Sequence, residues 1–532
     1  MPVFNYTSLS MDSTRCTIGI DLGTSACKVL ALTEDLELVA ETSMKYETRI
    51  PKPGWAEQDP NEWWHAVFTC LKNISKILKE RNIKEVSGIG LTGQMHSLVL
   101  LDREGNVLRP AILWNDQRNQ EQCIRAINRL GGLDKLINLI KNGLPTGVTL
   151  GKILWVMENE PEIFSKTAKF LVPKDYVRYK LTQDFATDVS DASGTHLFDI
   201  KHKRWCEKII EIFGIPEDIL PDKVVESSEI SGYVTEDICK ELGWSGGVPV
   251  VGGGADVIVQ ATCSGAISPD KLGIIVGTAG IVAMTVNDID VIRNSEGILQ
   301  LYCSVIPDKW MLYGCTLAAG SSLEWLRATL CDLEEIVAKF MGKSVYEVMS
   351  EEASKSNIGS GGIFYLPFLS GERAPYLDPN ARGVFVGLNL KTQKHDIIRS
   401  VMEGVSYSLR SVADKIMEEV KEANVSVREV YLTGGGALSP LWRQIFADVF
   451  GREVKVLKYS EKGGAFGAAV LAGIGTGIWK NVKEVVESLK VVYSNEPLPY
   501  NRQLYEKYYE VYLQIYPALK TIFSLIARLQ SE

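Results

Sequence analysis

The sequence lacks the features that mark several common classes of protein. It has no basic excess, because 57 Lys and Arg residues stand against 66 Asp and Glu residues, a net charge of −9. General nucleic-acid-binding proteins usually carry such an excess, so that class is disfavoured. None of the ten cysteines belongs to a Cys-x-x-Cys pair, which removes the usual signals of zinc and thioredoxin-like sites. Scattered cysteines favour reduced, buried thiols in a cytoplasmic protein.

Long apolar runs and targeting signals are also absent. The longest stretch without charge, residues 463–479, is rich in glycine and shorter than the ~20 residues that span a bilayer. We therefore expect no transmembrane segment. Residues 1–15 have no basic region followed by an apolar one, so they predict a disordered leader and not a secretory signal. Either Met1 or Met11 can be the start of the chain.

Two nucleotide-binding motifs are absent or misplaced. The chain has no Gly-x-x-x-x-Gly-Lys-Ser/Thr motif, which argues against a P-loop NTPase. Gly88, Gly90 and Gly93 do spell Gly-x-Gly-x-x-Gly. In a dinucleotide-binding fold these glycines lie in the turn between a strand and a helix. Here they lie inside an apolar run, and residues 97–101 predict another strand. A dinucleotide-dependent oxidoreductase stays only as an alternative.

The chain does contain 532 residues and 46 glycines, and the glycines cluster. The length predicts two or more domains. Residues 19–25, which predict a strand and a hairpin turn, resemble residues 273–279, at an offset of 254 residues. Two copies of one hairpin indicate a duplicated domain. Asp21 in the first copy corresponds to Ile275 in the second, so packing alone does not require this carboxylate and we expect Asp21 to have a specific role.

The glycine clusters predict sites for phosphate or nucleotide. Residues 23–25 and 277–279 predict hairpin turns, and residues 434–436 and 463–467 predict turns from strand to helix. Glycine leaves backbone N–H groups open to an anion. An ordinary tight turn is the alternative for any single cluster. Strands followed by helices in the second half predict an α/β fold.

Several polar residues follow predicted strands and are candidates for a site. Asp256 follows three glycines, between the two halves of the chain, and is a candidate general base. The alternative for Asp256 is a residue that caps a turn or helix. Met95 and His96 lie between two predicted strands, with a structural histidine as the alternative. Asn115 and Asp116 predict a substrate rim or a loop that caps the next helix.

Two long patterns carry a resemblance to a known family. One covers residues 147–159 and contains Lys152, Trp155 and Asn159. The other covers residues 383–403 and ends at Glu403. With these patterns, the chain resembles the FGGY family of carbohydrate kinases, within the actin–hexokinase–Hsp70 superfamily, over residues 16–477. Segments 94–96, 114–116, 173–176 and 190–195 look most like the members that phosphorylate xylulose.

The resemblance implies two ribonuclease-H-like lobes around a central cleft. Residues 16–255 would form the sugar-binding lobe, and residues 256–532 the ATP-binding lobe with a C-terminal helix. The implied reaction is phosphorylation of D-xylulose by ATP with Mg²⁺, in which Asp256 is the catalytic base and Asp21 organises the metal and phosphates. The residues implied to bind the sugar are Met95, His96, Asn115, Asp116 and Asp256. Those implied to bind ATP are Gly23, Thr24, Ser25, Gly277, Thr278, Gly435, Gly436, Ala437 and Gly464.

Two positions depart from the family pattern. Val257 stands where many xylulose kinases have asparagine, and Ala279 stands where the first hairpin has serine. The alternatives are therefore another ketopentose, a pentitol or a deoxyketose as the substrate. A nucleotide-driven protein without kinase activity is an alternative of a different class. The expected partners are a sugar and ATP, without nucleic acid or membrane. The oligomeric state is open, with a homodimer as one candidate.

Overall fold

The computed structural model describes residues 14–531. Residues 1–13, most of the predicted leader, lie outside the described residues, and Arg15 already begins a strand. The chain divides into two compact units. The first comprises residues 1–131, 144–259 and 464–485, and the second comprises residues 132–143, 260–463 and 486–532. The functional division between residues 255 and 256 stays a prediction.

Each unit contains one seven-stranded sheet. The strands of the first sheet are β1 (Arg15–Leu22), β2 (Ala26–Thr33), β3 (Leu38–Lys45), β4 (Glu85–Gly93), β5 (Ile230–Tyr233), β6 (Pro249–Val251) and β7 (Gly254–Ala255). The strands of the second are β8 (Lys271–Val276), β9 (Gly280–Val286), β10 (Gln300–Cys303), β11 (Trp310–Thr316), β12 (Glu429–Gly434), β13 (Glu453–Leu457) and β14 (Val491–Asn495). Shorter strands are Glu57–Gln58, Val99–Leu101, Ala111–Ile112, Lys169–Leu171, Ala186–Asp188, Phe198–Asp199, Arg204–Trp205, Lys223–Val225, Phe364–Leu366 and Val384–Val386.

Helices connect and cover these strands. In the first half they are α1 (Pro60–Glu80), α2 (Gln120–Arg129), α3 (Leu133–Ile140), α4 (Thr149–Asn159), α5 (Pro161–Lys166), α6 (Pro173–Thr182), α7 (Val189–Gly194), α8 (Glu207–Phe213), α9 (Glu236–Leu242) and α10 (Asp256–Cys263). In the second half they are α11 (Gly320–Leu330), α12 (Asp332–Met341), α13 (Val345–Ala353), α14 (Lys394–Glu419), α15 (Pro440–Phe450), α16 (Gly463–Gly475), α17 (Val482–Ser488) and α18 (Pro499–Ser531). The α/β fold class is thus confirmed.

The five central strands of the two sheets have the same order and directions, as a duplication requires. The first runs β5-β6-β4-β1-β2-β3, with β7 also on β4, and the second runs β14-β13-β12-β8-β9-β11-β10. In the first sheet β1 pairs antiparallel with β2 and parallel with β4. In the second, β8 pairs antiparallel with β9 and parallel with β12. Both predicted hairpins are therefore confirmed, and each unit repeats the same core.

The glycines of the Gly-x-Gly-x-x-Gly motif lie inside β4, as predicted, so the motif is not a dinucleotide-binding turn. Their role is close packing. A Cβ on Gly90 would overlap the carbonyl oxygen of Ala468, and a Cβ on Gly19 would overlap that of Ala465. Helix α16 can therefore lie directly on β1 and β4, because these positions have no side chain.

The start of α1 and the state of the cysteines both follow from the local sequence. Asp59 caps α1 by accepting a hydrogen bond from the N–H of Asn61 (2.9 Å), and Pro60 occupies the first turn. All ten cysteines lie in the described part of the chain; none forms a disulfide and nine are buried. Among residues 14–531, no helix has the length and apolar character needed to cross a membrane.

Candidate active site

The predicted catalytic carboxylates lie at one edge of the first sheet. Asp21 is near the end of β1, and its register partner on β4 is Thr92. Asp256 begins α10 directly after β7, which pairs with Thr92 and Gly93 of β4. The carboxyl ends of parallel strands meet at the same edge of a sheet, the usual place for ligand binding in α/β proteins. The structure thus brings the two carboxylates to a common edge of one unit.

Both carboxylates have raised pKa values. Burial raises the pKa of Asp21 to about 6, against a smaller lowering by the charge of Lys28. Burial raises the pKa of Asp256 to about 7, and the negative charge of Asp21 raises it further toward that value. A carboxylate with a pKa near neutrality can accept a proton and release it again at physiological pH. This arrangement is suited to general-base chemistry at Asp256.

The backbone around Asp256 is held by hydrogen bonds. The Val257 N–H donates to Oδ1 of Asp256 (2.8 Å). The hydroxyl of Thr92 donates to the carbonyl oxygen of Gly254 (2.7 Å), two residues before Asp256. The carboxylate keeps free lone pairs beyond this bond, so it can still receive a proton.

Gly464 lies beside the same carboxylate. A Cβ added to Gly464 would stand 3.1 Å from Cγ of Asp21 and 2.7 Å from Cγ2 of Thr92. The first turn of α16 therefore approaches Asp21 closely only because residue 464 has no side chain. Its predicted role toward ATP stays a prediction, but its position is next to Asp21.

The hairpin turn of residues 23–25 is fixed by side chains from three other segments. Trp114 Nε1 donates to the hydroxyl of Thr24 (3.0 Å), and Gln58 Nε2 donates to the Thr24 carbonyl (2.7 Å). The hydroxyl of Tyr46 donates to the carbonyl of Gly23. With its carbonyls engaged, the turn has a defined shape, while Ser25 stays exposed at its tip.

His96 is buried and has a left-handed backbone, with φ of 64°. Its carbonyl oxygen accepts hydrogen bonds from Lys152 Nζ (2.8 Å) and from the hydroxyl of Thr149 (2.9 Å). Its ring Nδ1 lies 2.7 Å from the carbonyl oxygen of Gly194. A carbonyl only accepts, so Nδ1 carries a proton in this contact. The contact of His96 with a sugar stays a prediction.

The other residues predicted to bind the sugar differ in their surroundings. Met95 is buried beside His96, while Asn115 is exposed. Asp116 is fully buried and accepts from Ala56 N–H (2.6 Å) and from the Arg118 guanidinium (2.7 and 2.9 Å). These bonds give Asp116 a clear structural role, and its contact with the sugar stays a prediction.

The predicted ATP-binding turns of the second unit also meet at one edge of their sheet. Val276, which precedes the turn of residues 277–279, is the register partner of Gly434. A Cβ on Gly436 would stand 2.6 Å from Cγ1 of Val276. The Thr278 carbonyl accepts a hydrogen bond from the N–H of Ala319 (3.0 Å) at the start of α11. This bond fixes the turn to the first residues of that helix.

Gly435 and Ala437 complete that second edge. Gly435 is exposed, and a Cβ there would have only one neighbour, the Val276 oxygen at 3.9 Å. The Ala437 carbonyl accepts from Arg443 Nη1 (2.7 Å). The turn therefore has open backbone at Gly435 and a fixed backbone at Ala437, and its predicted role toward ATP stays a prediction.

Sequence reasoning missed Thr92 and gave Lys152 no role of its own. A signal for Thr92 existed, because Leu-Thr-Gly occurs at residues 91–93 and again at 432–434. Thr433 in the second copy donates to the carbonyl of Ser460 (2.6 Å), which repeats the bond of Thr92. Lys152 gave no such signal, because its bond to the His96 carbonyl joins segments far apart in the chain.

Comparison with known proteins finds family matches for both halves of the chain. Models of the N-terminal and C-terminal domains of the FGGY family of carbohydrate kinases match residues 16–263 and 272–476. A xylulose kinase of Staphylococcus epidermidis is 39% identical over 95% of this chain and 97% of that protein.

Two solved structures from Lactobacillus acidophilus have similar folds. A ligand-bound xylulose kinase has a TM-score of 0.86 at 26% identity, covering 96% of this chain and all of that one. A gluconate kinase has a TM-score of 0.87 at 25% identity, covering 96% and 99%. The fold alone therefore does not distinguish the sugar.

Proposed function

The chain belongs to the FGGY family of carbohydrate kinases, and we propose that it transfers the γ-phosphoryl group of ATP to D-xylulose to form D-xylulose 5-phosphate. The observation that carries the kinase chemistry is the pair Asp21 and Asp256, with raised pKa values at the carboxyl edge of the first sheet. The choice of xylulose rests on the 39% identical xylulose kinase.

The proposed chemistry follows from the groups at this edge. The terminal hydroxyl of the sugar attacks the γ-phosphorus of ATP, a new P–O bond forms, and the bond to ADP breaks. The carboxylate of Asp256 accepts the hydroxyl proton as the attack proceeds. Such transfers depend mainly on positioning and on electrostatic stabilisation. His96 is proposed to orient the sugar through a hydrogen bond to one of its hydroxyls. The open turns of residues 277–279 and 434–437 are proposed to hold ATP.

Mg²⁺ is part of the proposal. No group of three or more His, Cys, Asp or Glu side chains forms a metal site within residues 14–531. Mg²⁺ with a nucleotide needs only one or two carboxylates, because phosphate oxygens and waters supply the other ligands. Asp21 fits this requirement, since it lies at the same edge as Asp256 and close enough for its negative charge to raise the pKa of Asp256. When bound, the ion would neutralise charge on the transferred phosphoryl group.

The test is a coupled assay of ADP release over a panel of sugars and polyols. The panel contains D-xylulose, other ketopentoses, a deoxyketose, pentitols and gluconate, because Val257 departs from the usual pattern. We expect the highest kcat/KM with D-xylulose. A higher value with another sugar would change the substrate, and ADP release without sugar dependence would overturn the kinase. Nicotinamide binding in place of sugar turnover would favour an oxidoreductase.

A cytoplasmic location and a homodimer complete the proposal. The absence of disulfides among ten described cysteines supports a reducing compartment. Exposed apolar side chains on one face of α12, at Leu333, Ile336 and Phe340, support self-association. Sedimentation of the purified protein tests the dimer, and a monomer at all concentrations would refute it.

A further inference from the structure

A cluster of charged side chains is buried in the first unit, outside the pair of carboxylates that would do the chemistry. Its members, Lys174, Asp175, Arg178, Asp188 and Asp191, are each at most 1% exposed. Lys174 Nζ lies 2.5 Å from Asp175, 2.9 Å from Asp188 and 3.2 Å from Asp191. Arg178 Nη2 lies 2.7 Å from the same Asp175 carboxylate. The group links α6 to the start of α7.

Stability does not explain such a cluster. Removing charges from water costs free energy that their attraction only partly recovers, and well-packed apolar residues often serve as well. Three carboxylates also outnumber two cations. Burial raises the pKa of Asp191 well above its usual range, against a lowering by the charge of Lys174. The retention of this costly cluster needs another reason.

The cluster reaches the backbone that leads to Asp256. Arg178 Nη1 donates to the carbonyl oxygen of Gly252 (2.8 Å). Ser190 Oγ accepts from the N–H of Ala255 (2.9 Å), directly before Asp256. The same hydroxyl donates to Oδ2 of Asp188 (2.5 Å). Both ends of the segment 252–255 are therefore held by residues of the cluster or by a residue bonded to it.

The segment needs external support because of its composition. Residues 252–254 are all glycine, so no side chain of theirs can anchor the backbone, and glycine has the greatest conformational freedom. Gly253 has φ of 72°, and a Cβ there would overlap the Leu91 carbonyl. The glycines allow the chain to pass tightly over β4, and the hydrogen bonds restore the order that glycine removes.

We propose that Ser190, Asp188 and Arg178 are positioning residues, which fix Asp256 by holding the glycine segment before it. Lys174 in turn holds Asp188 in place. Asp188 also accepts the backbone N–H of Ser190 (2.8 Å), so the serine hydroxyl has one defined direction. The inference rests on the proposed function for its kinetic consequences, but the hydrogen bonds concern the backbone alone.

The test uses Ser190→Ala, with Ser190→Thr as the conservative variant that keeps the hydroxyl. Ser411→Ala is the matched control, because Ser411 is a buried serine of α14 whose hydroxyl donates within its own helix (2.6 Å). We expect Ser190→Ala to lower kcat by ~10-fold or more, as small misplacement of reacting groups does. KM for ATP should not change. Ser190→Thr should restore most of the rate, and Ser411→Ala should keep it.

A second measurement separates positioning from activity. Amide hydrogen exchange of residues 252–257 should be faster in Ser190→Ala than in the wild type, and unchanged in Ser411→Ala. Arg178→Lys keeps the charge but loses the guanidinium fork, and should speed the same exchange. Unchanged exchange in both variants would overturn the inference. If the wild type phosphorylates no sugar, the proposed function fails, and the exchange results still decide whether these residues hold the segment.

Discussion

The central strands of the two sheets have the same order, yet only the first sheet carries the carboxylates. β1 and β8 each pair with a hairpin partner and with a parallel strand. Thr92 and Thr433 make equivalent hydrogen bonds to the carbonyl oxygens of Gly254 and Ser460. At the position of Asp21, however, the second sheet has buried Ile275. The duplication thus gives both sheets a similar carboxyl edge. Single residues, such as Asp21 and Ile275, then determine which edge carries a carboxylate.

The largest effect is expected from Asp256→Asn. The amide cannot accept the sugar proton, so kcat should fall by about 10²–10⁴-fold, while ATP binding should be unchanged. Steady-state kinetics and calorimetric titration with ATP measure the two quantities. Asp237→Asn, at an exposed aspartate of the same unit, is the control. A kcat near that of the control would exclude Asp256 as the base.

Ile275→Asp tests whether the second sheet tolerates a carboxylate at the equivalent position. An unpaired charge would be buried there, so the free energy of unfolding should fall by about 3 kcal/mol or more. Ile275→Val, which removes only one methyl group, should cost about 1 kcal/mol. Denaturant unfolding measures both. Equal stabilities would mean that packing does not keep carboxylates out of the second sheet.

Gly464→Ala tests the close approach to Asp21. The new Cβ would press on Thr92 and on the Asp21 carboxylate, so kcat should fall by ~10-fold through misplacement. Gly246→Ala is the matched control, because a Cβ at Gly246 would meet no atom within 4 Å. Comparable kcat values for the two variants would show that α16 has room to move away.

The smallest effect is a shift with pH. A general base acts only when deprotonated, so kcat/KM should rise with pH through about 7, the value to which the pKa of Asp256 is raised. The free energy of unfolding should change in the opposite direction and fall as the pH rises. The folded protein retains a proton that the unfolded chain has already lost, so these groups reduce stability as the pH rises through about 6 and 7. A rate independent of pH below neutrality would contradict this assignment.

The sequence predicted the two hairpins because their signals are local. Apolar runs flank glycine turns at residues 23–25 and 277–279, and the offset of 254 residues exposes the duplication. The replacement of Asp21 by Ile275 in the second copy identified Asp21 as a candidate functional residue from the sequence alone. The role of α16 was not predictable in the same way, because Gly19 and Gly90 contact Ala465 and Ala468 only after the chain has folded.

The sequence by itself therefore determined the α/β class, the two related halves, the family and the candidate residues, since these depend on local patterns and motifs. The tertiary structure alone decided what surrounds them. It placed Asp21 near enough to raise the pKa of Asp256, and it placed Lys152 on the His96 carbonyl. It also anchored the glycine segment before Asp256 to Ser190. These are contacts between residues distant in the chain, which pairing and packing create and no local pattern records.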